Sequence, residues 1–432
     1  MTDPTKRTAV LDDLLWRGLV ANSTDLGELR AEAEERPITL YCGFDPTAPS
    51  LHLGNLLQIL TVRRFQLAGH RPLALVGGAT GLIGDPKMTG ERNLNSSELV
   101  GEWVTRIRQQ VEPYFDFDGT NAACMVDNYD WTKDLSTLDF LREIGKHFSV
   151  NRMLDREAVA ARLAGPGISY TEFSYQLLQS YDYLQLFDRY GCSLQTGGSD
   201  QWGNITAGVD LIRRVNAARV HGLTTPLVTK SDGTKFGKTE SGTVWLDPEL
   251  TTPYAFFQFW LNVEDDMVPE LLRMFSFRAP AEIEVLEAAT RERPHERAAQ
   301  RALAEEITDL VHGPQERARA QAAGLALFGR GELADLDHST LDAALREAPH
   351  TQVTRAELGT GLPVAELFAR CGLVASNGAA RRTINEGGAY VANVRVRDEA
   401  ANVGPDDLLG GRWLVLRRGR RHVGAIEVVP NP

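Results

Sequence analysis

Two lysines, Lys235 and Lys238, stand three residues apart around Gly237 in the stretch LVTKSDGTKFGKT, residues 227–239. That spacing lets two flexible ammoniums converge on one polyphosphate, although lysines in a loop are most often solvated surface. A second group lies upstream in YCGFDPTAPSLHLGN, residues 41–55, where His52, Gly54 and Asn55 fall at the start of a helical pattern. Gly54 removes the side chain that would block a flat group lying against the helix, and Asn55 adds a donor. A third group, Tyr175, Gln179 and Asp182, is spaced i, i+4, i+7, so it stacks on one side of a helix and can read an amine and a hydroxyl on one small ligand. The fourth is LQTGGSDQWGN, residues 194–204, in which adjacent glycines let backbone approach a ligand beside Ser199, Asp200 and Gln201. Taken singly, each has a plain alternative: a satisfied histidine, a solvated helix face, an ordinary turn.

The elements that must hold these residues follow from hydrophobic pattern. Ile38 to Tyr41 reads as a strand that breaks at Gly43; Ser50 then caps a helix whose apolar face is Leu51, Leu53, Leu56, Leu57 and Leu60. A helix rising from a strand end offers unpaired N–H groups and a positive dipole to an anion. Residues 9–34 read as one helix, residues 72–78 (PLALVGG) as a buried strand, residues 91–110 as helix and residues 122–126 as strand. The turn GGATGLIGDP after residue 76 does not give G-x-G-x-x-G, and Asp232 stands five before Gly237 where a P-loop needs glycine, so both common nucleotide motifs fail. Alternating strand and helix predicts an α/β fold with a Rossmann-like, doubly wound parallel sheet, whose ligands bind at the carboxyl ends of the strands. Four segments are expected: a catalytic domain over 1–245, an α-helical domain over 246–330, a polar linker over 331–361 and a small α+β module over 362–432.

Composition sets the class. At 432 residues and 43% hydrophobic, the chain is long enough for two or three ordinary cores, and no apolar run reaches the roughly 18 residues of a membrane span. The first 37 residues lack a signal-peptide core, and Cys42, Cys124, Cys192 and Cys371 are scattered without CxxC or metal-ligand spacing. A reducing cytoplasm, no disulfide, no structural metal and no membrane association are therefore expected. The net charge of −12 disfavours indiscriminate nucleic-acid binding, yet residues 363–432 hold ten arginines and no lysine against seven acids. Arg381-Arg382, Arg395, Arg397 and the arginines of 417–421 keep a phosphate-backbone footprint open.

The motifs together are more specific than any one of them. YCGFDPTAPSLHLGN, LVGGATGLIGDP, FSYQLLQSYD, QTGGSDQWGN and LVTKSDGTKFGKTESG, in this order, resemble the bacterial tyrosyl-tRNA synthetase family across roughly residues 1–330. LFARCGLVASNGAARRTINEGGAYVANVRV resembles an S4-type RNA-binding module, in which Arg381 and Arg382 fall among the basic residues. His-x-Gly-Asn departs from the usual His-x-Gly-His of class I aminoacyl-tRNA synthetases, and KFGKT stands in place of Lys-Met-Ser-Lys-Ser.

The resemblance implies activation of L-tyrosine by ATP with Mg2+, transfer to tRNA(Tyr), no tightly bound cofactor, and a homodimer formed through an insertion at about 125–180. It implies that Tyr41 and Asp182 bond the substrate phenol, that Tyr175, Gln179 and Asp85 hold its ammonium, and that Gln201 lies near its carboxylate. Gly43, Asp45, Thr47, His52, Gly54 and Asn55 would meet ATP, Gly198 and Asp200 its ribose, and Lys235, Lys238 and Thr239 the leaving pyrophosphate. Arg92 is similar to a phosphate-binding arginine of the family; Lys87 receives no assignment. Three other readings remain at this stage. A tryptophanyl enzyme shares the architecture, a small-molecule nucleotidyltransferase shares the His-x-Gly element, and an idle synthetase-derived RNA-binding protein shares the tail.

Overall fold

A computed structural model describes residues 4–86, 90, 94–229, 233–239, 242–359 and 361–431. The chain divides into two compact units, Met1–Leu250 with Pro269–Ile283, and Thr251–Val268 with Glu284–Pro432.

The first unit is built on β1 (Asn22–Ser23), β2 (Thr39–Phe44), β3 (Arg71–Val76), β4 (Cys124–Asp127), β5 (Cys192–Gly198) and β6 (His221–Thr225), in the order β1-β6-β5-β2-β3-β4. All neighbours pair parallel except the edge pair β1 and β6. β3 carries Pro72 to Val76 buried in sequence, the continuous apolar run of a strand covered on both faces. The chain winds outward through β2, β3 and β4 and then returns to the other side of β2 with β5, so the winding reverses between β2 and β5. That reversal opens a crevice at the strands' carboxyl ends.

Flanking the sheet are α1 (Pro4–Trp16), α2 (Leu26–Glu35), α3 (Leu53–Leu67), α4 (Ser97–Val111), α5 (Tyr170–Tyr190) and α6 (Trp202–Asn216). Residues 9–34 are thus two helices rather than one. Gly18, at φ +72°, ends α1, and Asp25 starts α2 by accepting from the Glu28 N–H at 3.0 Å. The helix expected at 91–110 begins at Ser97, capped by Ser96. Ser50 is not the cap of α3: its Oγ donates to the Leu51 carbonyl, and His52 caps the helix instead. Ser169 caps α5, and Gly191, at φ +63°, closes it.

In the second unit α7 (Pro253–Leu261) packs on α8 (Ala298–Leu327), which is kinked where Gly313, at φ +86°, precedes Pro314. The Phe256 and His312 rings meet edge to face at 4.7 Å beside that kink. Residues 331–361, expected as a linker, carry α9 (His338–Arg346) and β9 (His350–Thr354). β9 pairs in parallel with the last strand, β15 (His422–Val429), in a sheet of order β12-β11-β14-β15-β9 with β11 (Ala389–Val391), β12 (Val394–Arg395) and β14 (Trp413–Arg418), while the short strands β10 (Leu362–Pro363) and β13 (Asn402–Val403) pair here and β7 (Lys238–Thr239) and β8 (Gly242–Thr243) pair in the first unit. The stretch looks structureless in sequence because α9 is short and β9 alternates weakly, yet both bury their apolar side onto neighbours. Asp342 of α9 accepts from Trp413 Nε1 at 3.1 Å and pairs with Arg412 at 3.1 Å, while Asn393 donates to the Ala326 carbonyl at the end of α8 at 2.7 Å. The helical expectation for 246–330 is corrected in one respect: residues 269–283 belong with the first unit.

Candidate active site

The carboxyl ends of β2, β3, β4 and β5 deliver Asp45, Gly77-Gly78, Asn128 and Gly198 to the crevice. A Cβ on Gly77 would lie 2.0 Å from Asp45 Oδ1, and one on Gly78 would lie 2.4 Å from Asp127 Oδ1, so only glycine admits these carboxylates.

Tyr41, on β2, is 1% exposed, and its hydroxyl finds no hydrogen-bond partner among the described residues. Its ring packs on Tyr183 at 5.3 Å. Burial, then the charge of Asp182, holds the Tyr41 phenol well above its ordinary pKa. Asp182, on α5, is equally buried; its two oxygens accept from Trp131 Nε1 at 2.8 Å and Asn128 Nδ2 at 2.9 Å. Burial raises Asp182 to about 7; the two donors pull it down, and the charges of Asp45 and Asp127 push it up. A lone polar hydroxyl beside a buried carboxylate is a costly arrangement unless a ligand completes it.

About two turns back along α5, Tyr175 donates to Asp45 Oδ2 at 2.5 Å, and Thr80 donates to Asp45 Oδ1 at 2.7 Å. Gln179 Oε1 is buried without a partner among the described residues. Asp85 accepts from Gln201 at 2.8 Å and from Asn204 at 3.3 Å. Arg156, whose guanidinium would touch a Cβ on Gly203, is close enough for the charges of Asp85 and Tyr175 to act on it; burial is nonetheless the larger cause and lowers its pKa. Three carboxyl groups, Asp45, Asp85 and Asp182, are therefore close enough to act on Tyr175 electrostatically, an arrangement that can accept a cationic amine and a hydroxyl together.

At the mouth, His52 caps α3: its Nδ1 accepts from the Gly54 N–H at 3.1 Å, and Asn55 Oδ1 accepts from the His52 N–H at 3.1 Å. Asn55 is thus primarily a capping partner, with its amide NH2 left over as donor. Because Nδ1 accepts, the proton sits on Nε2. Partial desolvation, then the ammoniums of Lys235 and Lys238, lower the His52 pKa, so the ring is neutral at pH 7. The lysine loop is held close by backbone: Phe236 N–H donates to the Val228 carbonyl at 2.9 Å and Leu246 N–H to the Leu51 carbonyl at 2.9 Å. Gly237, at φ +84°, lies so near Leu53 that a Cβ would come within 3.3 Å. Lys235, Lys238, Thr47 and Asp200 are exposed, and the charge of Asp200 also reaches His52. Gly43 is exposed, and a Cβ there would meet Leu75 at an ordinary 3.7 Å, so its backbone carries no demand for glycine.

The crevice therefore brings together Tyr41, Asp45, Asp85, Tyr175, Gln179, Asp182 and Gln201, with His52, Gly54, Asn55, Lys235 and Lys238 at its rim. The side chain of Thr239, and Lys87 and Arg92, lie outside the described residues. Arg381 and Arg382 are exposed on α10 (Asn377–Asn385) of the second unit. Sequence reasoning missed Thr80, Asn128, Trp131, Arg156 and Asn204. The signal for Asn128 and Trp131 was their place just after a strand in VDNYDW, where a parallel sheet presents residues to a ligand.

The chain matches the family model for class I tRNA synthetases (W and Y) over residues 33–329 and the model for the Tyrosine--tRNA ligase SYY-like C-terminal domain over residues 341–424. It is 63% identical over 423 residues to a tyrosine–tRNA ligase of Streptomyces avermitilis, covering 98% of this chain and 99% of the relative. With one of Mycobacterium tuberculosis the identity is 56% over 422 residues, covering 97% and 98%. A solved, C-terminally truncated mitochondrial tyrosyl-tRNA synthetase of Aspergillus nidulans superposes with a TM-score of 0.65 at 29% identity, over 72% of this chain and 92% of that one. A tryptophanyl-tRNA synthetase of Encephalitozoon cuniculi bound to tryptophan shares the fold at a TM-score of 0.53 and 13% identity, over 79% and 95%.

Proposed function

From the chain's membership of the class I tRNA synthetases, and within them of the tyrosine–tRNA ligases, we propose how its own residues divide the work. The reaction is the family's: the carboxylate of L-tyrosine attacks the α-phosphorus of ATP, pyrophosphate leaves, and the resulting adenylate passes tyrosine to the terminal ribose of tRNA(Tyr), releasing AMP. Tyr41 and Asp182 take the phenol, one as donor and the other as acceptor. Asp85, Tyr175 and Gln179 take the ammonium, and Gln201 turns the carboxylate toward phosphorus. To do so, Gln201 exchanges its bond to Asp85 for one to substrate.

Little covalent chemistry is asked of the protein; alignment and neutralisation of growing phosphoryl charge suffice. His52 Nε2–H, Asn55 and Thr47 donate to the phosphates, Lys235, Lys238 and Thr239 draw off the pyrophosphate, and Gly43, Asp45 and Gly54 with Gly198 and Asp200 cradle the nucleoside. The side chains facing the phosphates are cations and neutral donors, and among the described residues no three His, Cys, Asp or Glu are grouped to hold a metal. Mg2+ fits there only as an ion carried on the ATP phosphates, whose charge it would share.

The observation that supports this reading best is the unpaired Tyr41 hydroxyl beside Asp182. Phenylalanine would leave the Tyr41 hydroxyl without a partner and bring Asp182 no third donor, at about 1 to 3 kcal/mol for the unpaired hydroxyl, and tryptophan offers no phenol to either. The catalytic domain is assigned to 1–245 with residues 269–283, and Arg381 and Arg382 to contact with tRNA. Free Cys42, Cys124, Cys192 and Cys371 suit a cytoplasmic setting. Pyrophosphate exchange with each amino acid, and tRNA charging, test the scheme in two arms. Asp182→Ala loses tyrosine-dependent exchange by at least 100-fold, about 3 kcal/mol, whereas the Arg381→Ala, Arg382→Ala pair keeps exchange and loses charging. Normal exchange in Asp182→Ala would refute the phenol assignment.

A further inference from the structure

Between two stretches of the second unit the chain returns to the first, with Pro269–Ile283. The helix Val268–Phe275 opens this return and finishes on Phe275, which is 1% exposed and packs its ring against Phe236 at 6.4 Å and 46°. Phe236 lies between Lys235 and Gly237 in the lysine loop. The carbonyls at the helix end, and just after it, are gripped by two buried arginines. Arg17 donates to Arg273, Ser276 and Arg278 at 2.9, 2.8 and 2.8 Å, and Arg64 donates to Ser276 at 2.5 Å. Both arginines reach the same carboxylate, Asp13, and Arg64 stacks over Phe277 at 4.6 Å.

Arg64 belongs to α3, the helix that His52 caps. A closed circuit results: α3 holds the returning segment through Arg64, that segment supports the loop through Phe275 and Phe236, and the loop rests back on α3 where Gly237 meets Leu53. Backbone bonds from Phe236 to Val228 and from Leu246 to Leu51 tether the loop, and the Phe275 ring supports it at Phe236, beside both lysines. Buried guanidiniums satisfied by three carbonyls and a carboxylate are a rigid anchor, since releasing any of these partners would leave a buried charge short of bonds.

We propose that Pro269–Ile283 is a strut that sets the height of the lysine loop over the phosphates, with Phe275 as its positioning residue. The proposal rests on the assignment of Lys235 and Lys238 to the ATP phosphates. Displacing the ammoniums by about 1 Å costs up to about 100-fold in rate, without changing the tyrosine pocket.

The test is a double-mutant cycle of Phe236→Ala and Phe275→Leu, with single-turnover adenylate formation and equilibrium tyrosine binding read on the full chain, and Lys238→Ala alongside. Each single variant loses at least 10-fold in adenylate rate with tyrosine Kd within 2-fold, the double loses no more than the worse single, and Phe275→Tyr restores the rate. Independent, multiplying losses, or a loss that follows thermal stability across the set with no rescue by Phe275→Tyr, overturn the strut. A normal rate in Lys238→Ala overturns the lysine assignment instead.

Discussion

Asp182 is the residue whose environment says most about its use. Its two oxygens already accept from Asn128 and Trp131, and a third donor, the substrate phenol, completes a set that favours the ionised form. Burial has raised its pKa to about 7, well above an ordinary carboxyl. The sign follows. Below its ordinary value Asp182 is protonated in folded and unfolded chains alike; between there and about 7 the folded chain keeps the proton longer, so the unliganded protein loses stability as pH rises through that window. Tyrosine binding favours the carboxylate and therefore releases a proton, so Kd for tyrosine rises as pH falls below about 7, by up to tenfold per unit. Titration by intrinsic fluorescence from pH 5.5 to 8.5 measures it, and a flat profile would contradict a phenol-accepting carboxylate. Gly77 and Gly78 are legible only in hindsight: the sequence shows a glycine-rich turn, whereas the need for glycine comes from Asp45 and Asp127, distant in the chain.

Among the elements, α3 and α5 were read from their periodicity, and α5 falls within a residue of expectation because its cap, stripe and closing glycine agree. The start of α3 did not. Ser50 is a stronger capping residue by type, but its hydroxyl is engaged with Leu51, and the reciprocal bonds of His52 and Asn55 make the box two residues later. This gives Asn55 a reason beyond ATP: an amide oxygen accepts the His52 N–H. Asn55→Ala is expected to cost about 0.5 to 2 kcal/mol of stability and to slow adenylate formation, read by denaturant melts and exchange; an unchanged melt would mean the box contributes nothing. The β9 strand was unreadable for a different reason. Five residues with one buried side chain carry no periodic signal, and only pairing with β15 makes them a strand.

For the whole molecule, the fold class is legible in the sequence, an α/β fold on a parallel sheet, whereas the return of residues 269–283 to the first unit is not. Contact between segments far apart in sequence decides a partition, and no local pattern reports that Arg17 binds Ser276. The region around 125–180 also leaves apolar side chains in water: Leu138 is 78% exposed, Tyr170 69% and Val150 57%, with Leu141, Leu154 and Leu163 open as well. We propose that these residues share one interaction surface and that a second copy of the chain covers it. Sedimentation is expected to give the mass of two chains, and Leu138→Asp with Val150→Asp to weaken that association; a single-chain mass for the unmodified protein at micromolar concentration would rule it out.

β15 (residues 422–429) lies between β14 and β9, so the C-terminal sheet is completed by the strand that comes latest among its five. During synthesis β12, β11 and β14 can pair before that strand has left the ribosome, whereas β9, made some seventy residues earlier, must wait for it. A product that stops short of residue 422 would thus leave two orphaned strand edges, on β14 and β9, open to proteolysis.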